Sequence, residues 1–70
     1  MKQVTSMMAG IIVEMLVKKG DSISDGMEIG ILESMKMQLP IQSNASGKVV
    51  EVKANNGDFV NEGDPLLVLE

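Results

Sequence analysis

Few side chains in this sequence can do chemistry. Six lysines, no arginine, no histidine and no cysteine leave amines, carboxylates and hydroxyls. Without histidine or cysteine there is no Ser-His or Cys-His nucleophile, no Cys/His zinc site and no disulfide. Ser34 stands beside Lys36, but that neighbour alone is too thin a basis for a Ser-Lys dyad. Asp21, Asp25, Asp58 and Glu62 suggest a cation loop. Such a loop takes oxygen ligands at its first, third and fifth positions, and the third position counted from Asp21 is Ile23. Those four acids are expected in turns, where they aid solubility. What remains is an amine. Lys36 lies in Glu33-Ser34-Met35-Lys36-Met37-Gln38, and a primary amine on a flexible four-carbon stem is readily acylated once deprotonated.

Composition removes other functions. Six lysines against ten acids give a net charge of −4, and Phe59 is the only aromatic residue. A nucleic-acid binder needs a basic stripe and stacking aromatics, so that class is set aside. The apolar runs are too short to span a bilayer, and no signal-peptide pattern opens the chain. A soluble, cytoplasmic protein with no membrane partner is expected. With 70 residues the chain is read as one domain, 1–70. A domain of this size buries only about 60% of its unfolded surface. A closed sheet without free edges is its expected support.

The elements that position Lys36 come from a repeat. Offset by 37, residues 1–33 align with 38–70 without a gap. Nine pairs are identical: Ser6/Ser43, Gly10/Gly47, Val13/Val50, Glu14/Glu51, Gly20/Gly57, Asp21/Asp58, Gly26/Gly63, Leu32/Leu69 and Glu33/Glu70. Each half opens a β-branched run at a glycine ("GIIVEMLV", "GKVVEVKA"), with a bulge expected at Ile12–Met15 and again at Val49–Val52. Each run ends in a Gly-Asp turn and continues into a short apolar strand, and no window has a helical period. The fold expected is all-β: a flattened β-barrel or barrel-sandwich hybrid of two four-stranded antiparallel sheets with a pseudo-twofold axis.

Such a fold gathers the termini at one end. It leaves the unpaired centre, Ser34-Met35-Lys36-Met37, on a hairpin at the other. Tight hairpins want Gly, Asn or Asp because their backbone needs positive φ. The other tight turns comply and this one does not, so Lys36 is expected at an exposed, well-defined tip. Met15 and Met27 are expected to fill the core. Met35 and Met37 are not, and Met7 and Met8 are placed with even weight at the lysine end or elsewhere.

"ESMKM" resembles the attachment motif of biotinyl domains. The whole pattern, "SMMAGIIVEMLVKKGDSISDGMEIGILESMKM" followed by "SGKVVEVKANNGDFVNEGDPLLVLE", is similar to the biotinyl/lipoyl carrier family. That resemblance implies a non-catalytic carrier whose Lys36 is covalently biotinylated by a biotin protein ligase. The ligase would recognise Met35, Met37, Glu33 and Ser34. Biotin would then carry carboxylate between biotin carboxylase and carboxyltransferase subunits. Lipoyl domains usually show Asp-Lys-Ala at this tip, so the flanking methionines favour biotin over lipoate. Lipoylation at Lys36 by a lipoyl ligase, for a 2-oxoacid dehydrogenase-type system, is the alternative, as is an unmodified β adaptor. Met8-Ala9-Gly10 stands where the family often has Met-Pro-Gly, Gln38 where an acid is frequent. The gapless repeat leaves no room for the thumb insertion of some members. With no Pro/Ala-rich linker in the chain, Lys36 is expected to visit separate subunits through small, transient contacts.

Overall fold

The computed structural model describes residues 2–70. Eight strands follow in order: β1 (Lys2–Thr5), β2 (Gly10–Met15), β3 (Ser22–Ile23), β4 (Glu28–Ser34), β5 (Met37–Gln42), β6 (Gly47–Val52), β7 (Phe59–Val60) and β8 (Pro65–Leu69). They form two four-stranded antiparallel sheets, β1-β8-β6-β3 and β5-β4-β2-β7. Exchanging the halves (β1 for β5, β2 for β6, β3 for β7, β4 for β8) converts one sheet order into the other. The pseudo-twofold expected from the repeat is therefore present. Each sheet takes two strands from each half, so neither half is a sheet by itself. The halves are interleaved, and neither can bury its apolar face without the other.

Register carries the symmetry down to single residues. β2 slips against β4 between Ile12 and Glu14, and β6 slips against β8 between Val49 and Glu51. These are the two expected bulges, with Val13 and Val50 as the extra residues. Two more, unforeseen, lie at Glu28/Gly30 and opposite Val4/Thr5. They leave Ile29 and Leu66, again repeat partners, fully buried.

The core is built from the same pairs: Val4 and Ile41, Ile12 and Val49, Ile23 and Val60, Leu32 and Leu69 are all buried. One departure from symmetry shows how tightly it is filled. Leu67 is fully buried, whereas its partner position holds Gly30. A Cβ placed on Gly30 would lie 3.1 Å from Met15 Sδ. The long thioether thus occupies the volume that Leu67 fills in the other sheet, a use suited to methionine's flexibility. Met15, half-buried, packs against the core. Met27 does not: it is 40% exposed, in a turn closed by its N–H to Ser24 O at 3.0 Å.

Strand direction settles the two ends. Lys2 pairs with Leu69, bringing the termini together, and Lys2 Nζ donates to Ser46 O. β4 runs away from that end and turns back into β5 through Met35-Lys36, with Ser34 facing Met37.

Candidate functional site

Met35 and Lys36 are the two central residues of a two-residue hairpin loop, and both have positive φ, 54° and 64°. Positive φ at both positions defines a type I′ turn, whose twist matches that of the flanking strands. Elsewhere among the described residues, positive φ falls on glycines alone. A residue with a Cβ loses about 1–2 kcal/mol in this region. The chain accepts that strain at one place, the expected one. It is held there by a seven-residue strand on one side and a six-residue strand on the other.

The tip is open to solvent. Met35 is 92% exposed and Met37 61%, and Lys36 and Glu33 are also exposed, with Ser34 half-buried. Among the described residues the Lys36 amine has neither a hydrogen bond nor an ion pair; the salt bridge found is Lys53–Glu51 at 3.3 Å. An amine without intramolecular partners is free to enter another protein's active site. The five sequence-predicted site residues, Glu33 to Met37, thus share one hairpin.

The loop between β1 and β2 lies beside this hairpin. Gly10 faces the end of β4, and a Cβ there would sit 2.5 Å from Glu33 O. The buried Ser6 hydroxyl donates to Met8 O at 2.6 Å, and Ser6 N–H donates to Asp64 O at 2.9 Å. Met8 packs on the core while Met7 stays 62% exposed. Both methionines therefore belong to the lysine end.

All four acids considered as cation ligands lie in or beside turns, and the carboxylates of Asp21 and Asp58 accept from turn backbone. Asp21 Oδ2 accepts from Lys18 N–H and Asp58 Oδ2 from Asn55 N–H, each at 2.9 Å. Asp64 repeats the arrangement with Asn61 N–H at 2.8 Å. No group of three or more His, Cys, Asp or Glu able to hold a metal ion occurs among the described residues. Sequence reasoning passed over Phe59 and Ile11, both exposed on the sheet that bears Lys36. Their repeat partners, Ser22 and Lys48, carried the signal.

Residues 2–69 match the family model described as "Biotin-requiring enzyme", the biotin/lipoyl domain. The chain is 56% identical over 66 residues to the biotin/lipoyl attachment protein of Bacillus subtilis (strain 168), covering 94% of this chain and 90% of that protein. It is 45% identical over 65 residues to the mitochondrial propionyl-CoA carboxylase alpha chain of Sus scrofa, where it spans 93% of itself but 9% of the relative. Among solved structures, the urea carboxylase of Kluyveromyces lactis superposes with a TM-score of 0.86 at 29% identity, over 99% of this chain and 6% of that one.

Proposed function

The chain belongs to the biotin/lipoyl attachment family, and from that premise we propose that it is a biotin carboxyl carrier acylated at Lys36. The single observation behind this reading is the strained, exposed hairpin that presents an unpartnered amine. Biotin is favoured over lipoate by Met35 and Met37 on either side of the lysine, and by the likeness to carboxylases. When attached, biotin supplies a ureido nitrogen that can take up and release a carboxyl group.

The chain's own task is narrower. A biotin protein ligase presents biotin as an acyl adenylate, and Lys36 Nζ, having lost one proton, attacks the acyl carbon. The C–N bond forms and the acyl–phosphate C–O bond breaks. AMP leaves, and the amine's second proton passes to a base of the ligase or to water. The amide carries no charge, so the formal net charge goes from −4 to −5. After that the chain holds the tether. Biotin carboxylase and carboxyltransferase subunits do the catalysis, and this chain is no enzyme.

The test is acylation in vitro. Purified chain is incubated with ATP and either biotin plus a bacterial biotin protein ligase or lipoate plus a lipoyl ligase, and intact mass is recorded. A single biotin adduct is expected to form at the higher kcat/KM. Preferential lipoyl adduct would shift the assignment to a lipoyl carrier, and no adduct from either ligase would end the carrier reading.

Met35 separates strain from recognition. In Met35→Asn the turn gains a residue that tolerates positive φ, and stability is expected to rise by about 0.5–1 kcal/mol. If Met35 is read by the ligase, acylation slows in the same variant. Opposite signs in a thermal melt and a biotinylation assay are the expected result. Faster or unchanged acylation would remove Met35 from recognition.

A further inference from the structure

The duplication contains its own control. Phe59 pairs with Ile11 on β7 and β2, Ile11 with Glu33 on β4, and Glu33 with Gln38 on β5. These four exposed residues form one row across the outer face of the Lys36 sheet. Neighbouring strands lie about 4.8 Å apart, so the row is roughly 15 Å long. It ends two residues short of Lys36 along β5.

At the pseudo-twofold position the other sheet repeats the register, with Ser22 against Lys48, and Glu70 N–H donating to Lys48 O at 2.9 Å. The backbone is the same and the side chains are not. Phe59 (63% exposed) answers to Ser22, Ile11 (45%) to Lys48, and Met7 (62%) to Asn44. Since the fold carries Ser, Lys and Asn at the equivalent positions of the opposite end, packing does not demand Phe, Ile and Met here. Three exposed apolar side chains gathered at the lysine end require a different cause.

Charge says what covers them. Glu33 lies within the row, Asp58 adjoins Phe59, and Glu62 sits in the turn whose Gly63 N–H donates to Ser6 O at 2.8 Å, just before Met7. The opposite end repeats these acids as Glu70, Asp21 and Asp25, but there Lys2 and Lys48 stand among them. The surface is an apolar row with an acidic border, suited to a protein that offers an apolar groove rimmed by Lys or Arg.

We propose that the Phe59–Ile11 row, with Met7 in the loop that leads into β2, is where the ligase that acylates Lys36 docks. The proposal rests on the carrier reading above. Reach chooses the ligase over the carboxylase subunits. An unmodified lysine extends only by its four-carbon stem, so an enzyme acting on its nitrogen must close over the hairpin and the adjoining face. Enzymes acting on the far end of the acylated arm can stand further off.

The test measures ligase kinetics on full-length chain, with Phe59→Ser and Ile11→Lys, each installing the residue of the other half. Each is expected to raise KM about tenfold with kcat within about twofold, as for an anchor lost from a docking surface. Ser22→Phe and Lys48→Ile, made at the far end, are expected to leave both constants unchanged. Added salt is expected to lower kcat/KM for the wild-type chain. Thermal melts check the fold, and labelling of Lys36 by biotin N-hydroxysuccinimide ester, read by peptide mapping, is expected to be equal in all variants. Wild-type KM in both Phe59→Ser and Ile11→Lys overturns the docking site while leaving the carrier intact. Slower chemical labelling in those variants also overturns it, since the defect would then lie in the hairpin. A wild-type chain that the ligase does not acylate ends both readings.

Discussion

Lys36→Ala is expected to abolish biotin incorporation, and Lys36→Arg is expected to abolish it equally. The arginine variant keeps the charge and length of the side chain. Its guanidinium is protonated at any accessible pH and cannot serve as the acyl acceptor. Both replacements keep a Cβ residue at φ 64°, on an exposed tip where the native side chain has no partner. Stability should therefore change by no more than about 0.5 kcal/mol. Lys2, Lys18, Lys19, Lys48 and Lys53 remain in each variant as internal controls. Streptavidin blotting after incubation with ligase, beside a thermal melt, measures both halves of the expectation. Residual labelling of Lys36→Ala would show that another lysine accepts biotin and that the hairpin tip does not select the acceptor.

Gly10→Val has the largest expected effect on the fold itself. A Cβ at Gly10 would lie 2.5 Å from Glu33 O and 3.0 Å from Leu32 Cγ. The first contact is with backbone in the centre of a sheet, so relief requires β2 and β4 to part. Overpacking of this kind costs about 1–3 kcal/mol or more, against the roughly 3–5 kcal/mol that a core of this size supplies. A midpoint lowered by at least about 10 °C is expected, with slower acylation, because Glu33 lies in β4, which leads into the Met35-Lys36 turn. Gly47 offers the comparison. Its added Cβ would meet Glu70 O at 2.9 Å and Leu69 Cβ at 3.3 Å, and its φ of 157° adds strain of its own, but it lies away from the hairpin. Gly10→Ala and Gly47→Ala are thus both expected to lower the midpoint, and only the first to slow acylation. Equal acylation in the two would mean that the clash at β4 does not reach the tip.

Much of this geometry could be read from residue types. Identical pairs such as Leu32/Leu69 and Gly10/Gly47 revealed the duplication, and broken alternation around Val13 and Val50 revealed the bulges. The hairpin tip was legible because Met35-Lys36 violates turn preferences that every other turn obeys. Interleaving of the halves was not. A repeat states which strands are equivalent, and pairing within or between halves depends on contacts distant in sequence. Met27 was misread because an apolar residue next to a strand looks like core. Its repeat partner, Asp64, is the sign that this turn position faces water. The Phe59–Ile11 row escaped for the converse reason. An aromatic opening a strand reads as packing until its exposure and the polar character of Ser22 and Lys48 are set beside it.

Those particulars share one cause. Side-chain alternation and turn chemistry are local, and the sequence displays them directly. Which face of a sheet meets solvent near a functional tip is decided by the assembled sandwich. Comparing the two halves recovers part of that information, because one backbone has been filled with two sets of residues.

The most direct measurement is peptide mapping by mass spectrometry of the chain purified from cells that express it with their own biotin ligase. The expected result is biotin in amide linkage to Lys36, with the five other lysines bare. A lipoyl group on Lys36, an unmodified Lys36 in cells replete with biotin, or biotin confined to another lysine would contradict the assignment.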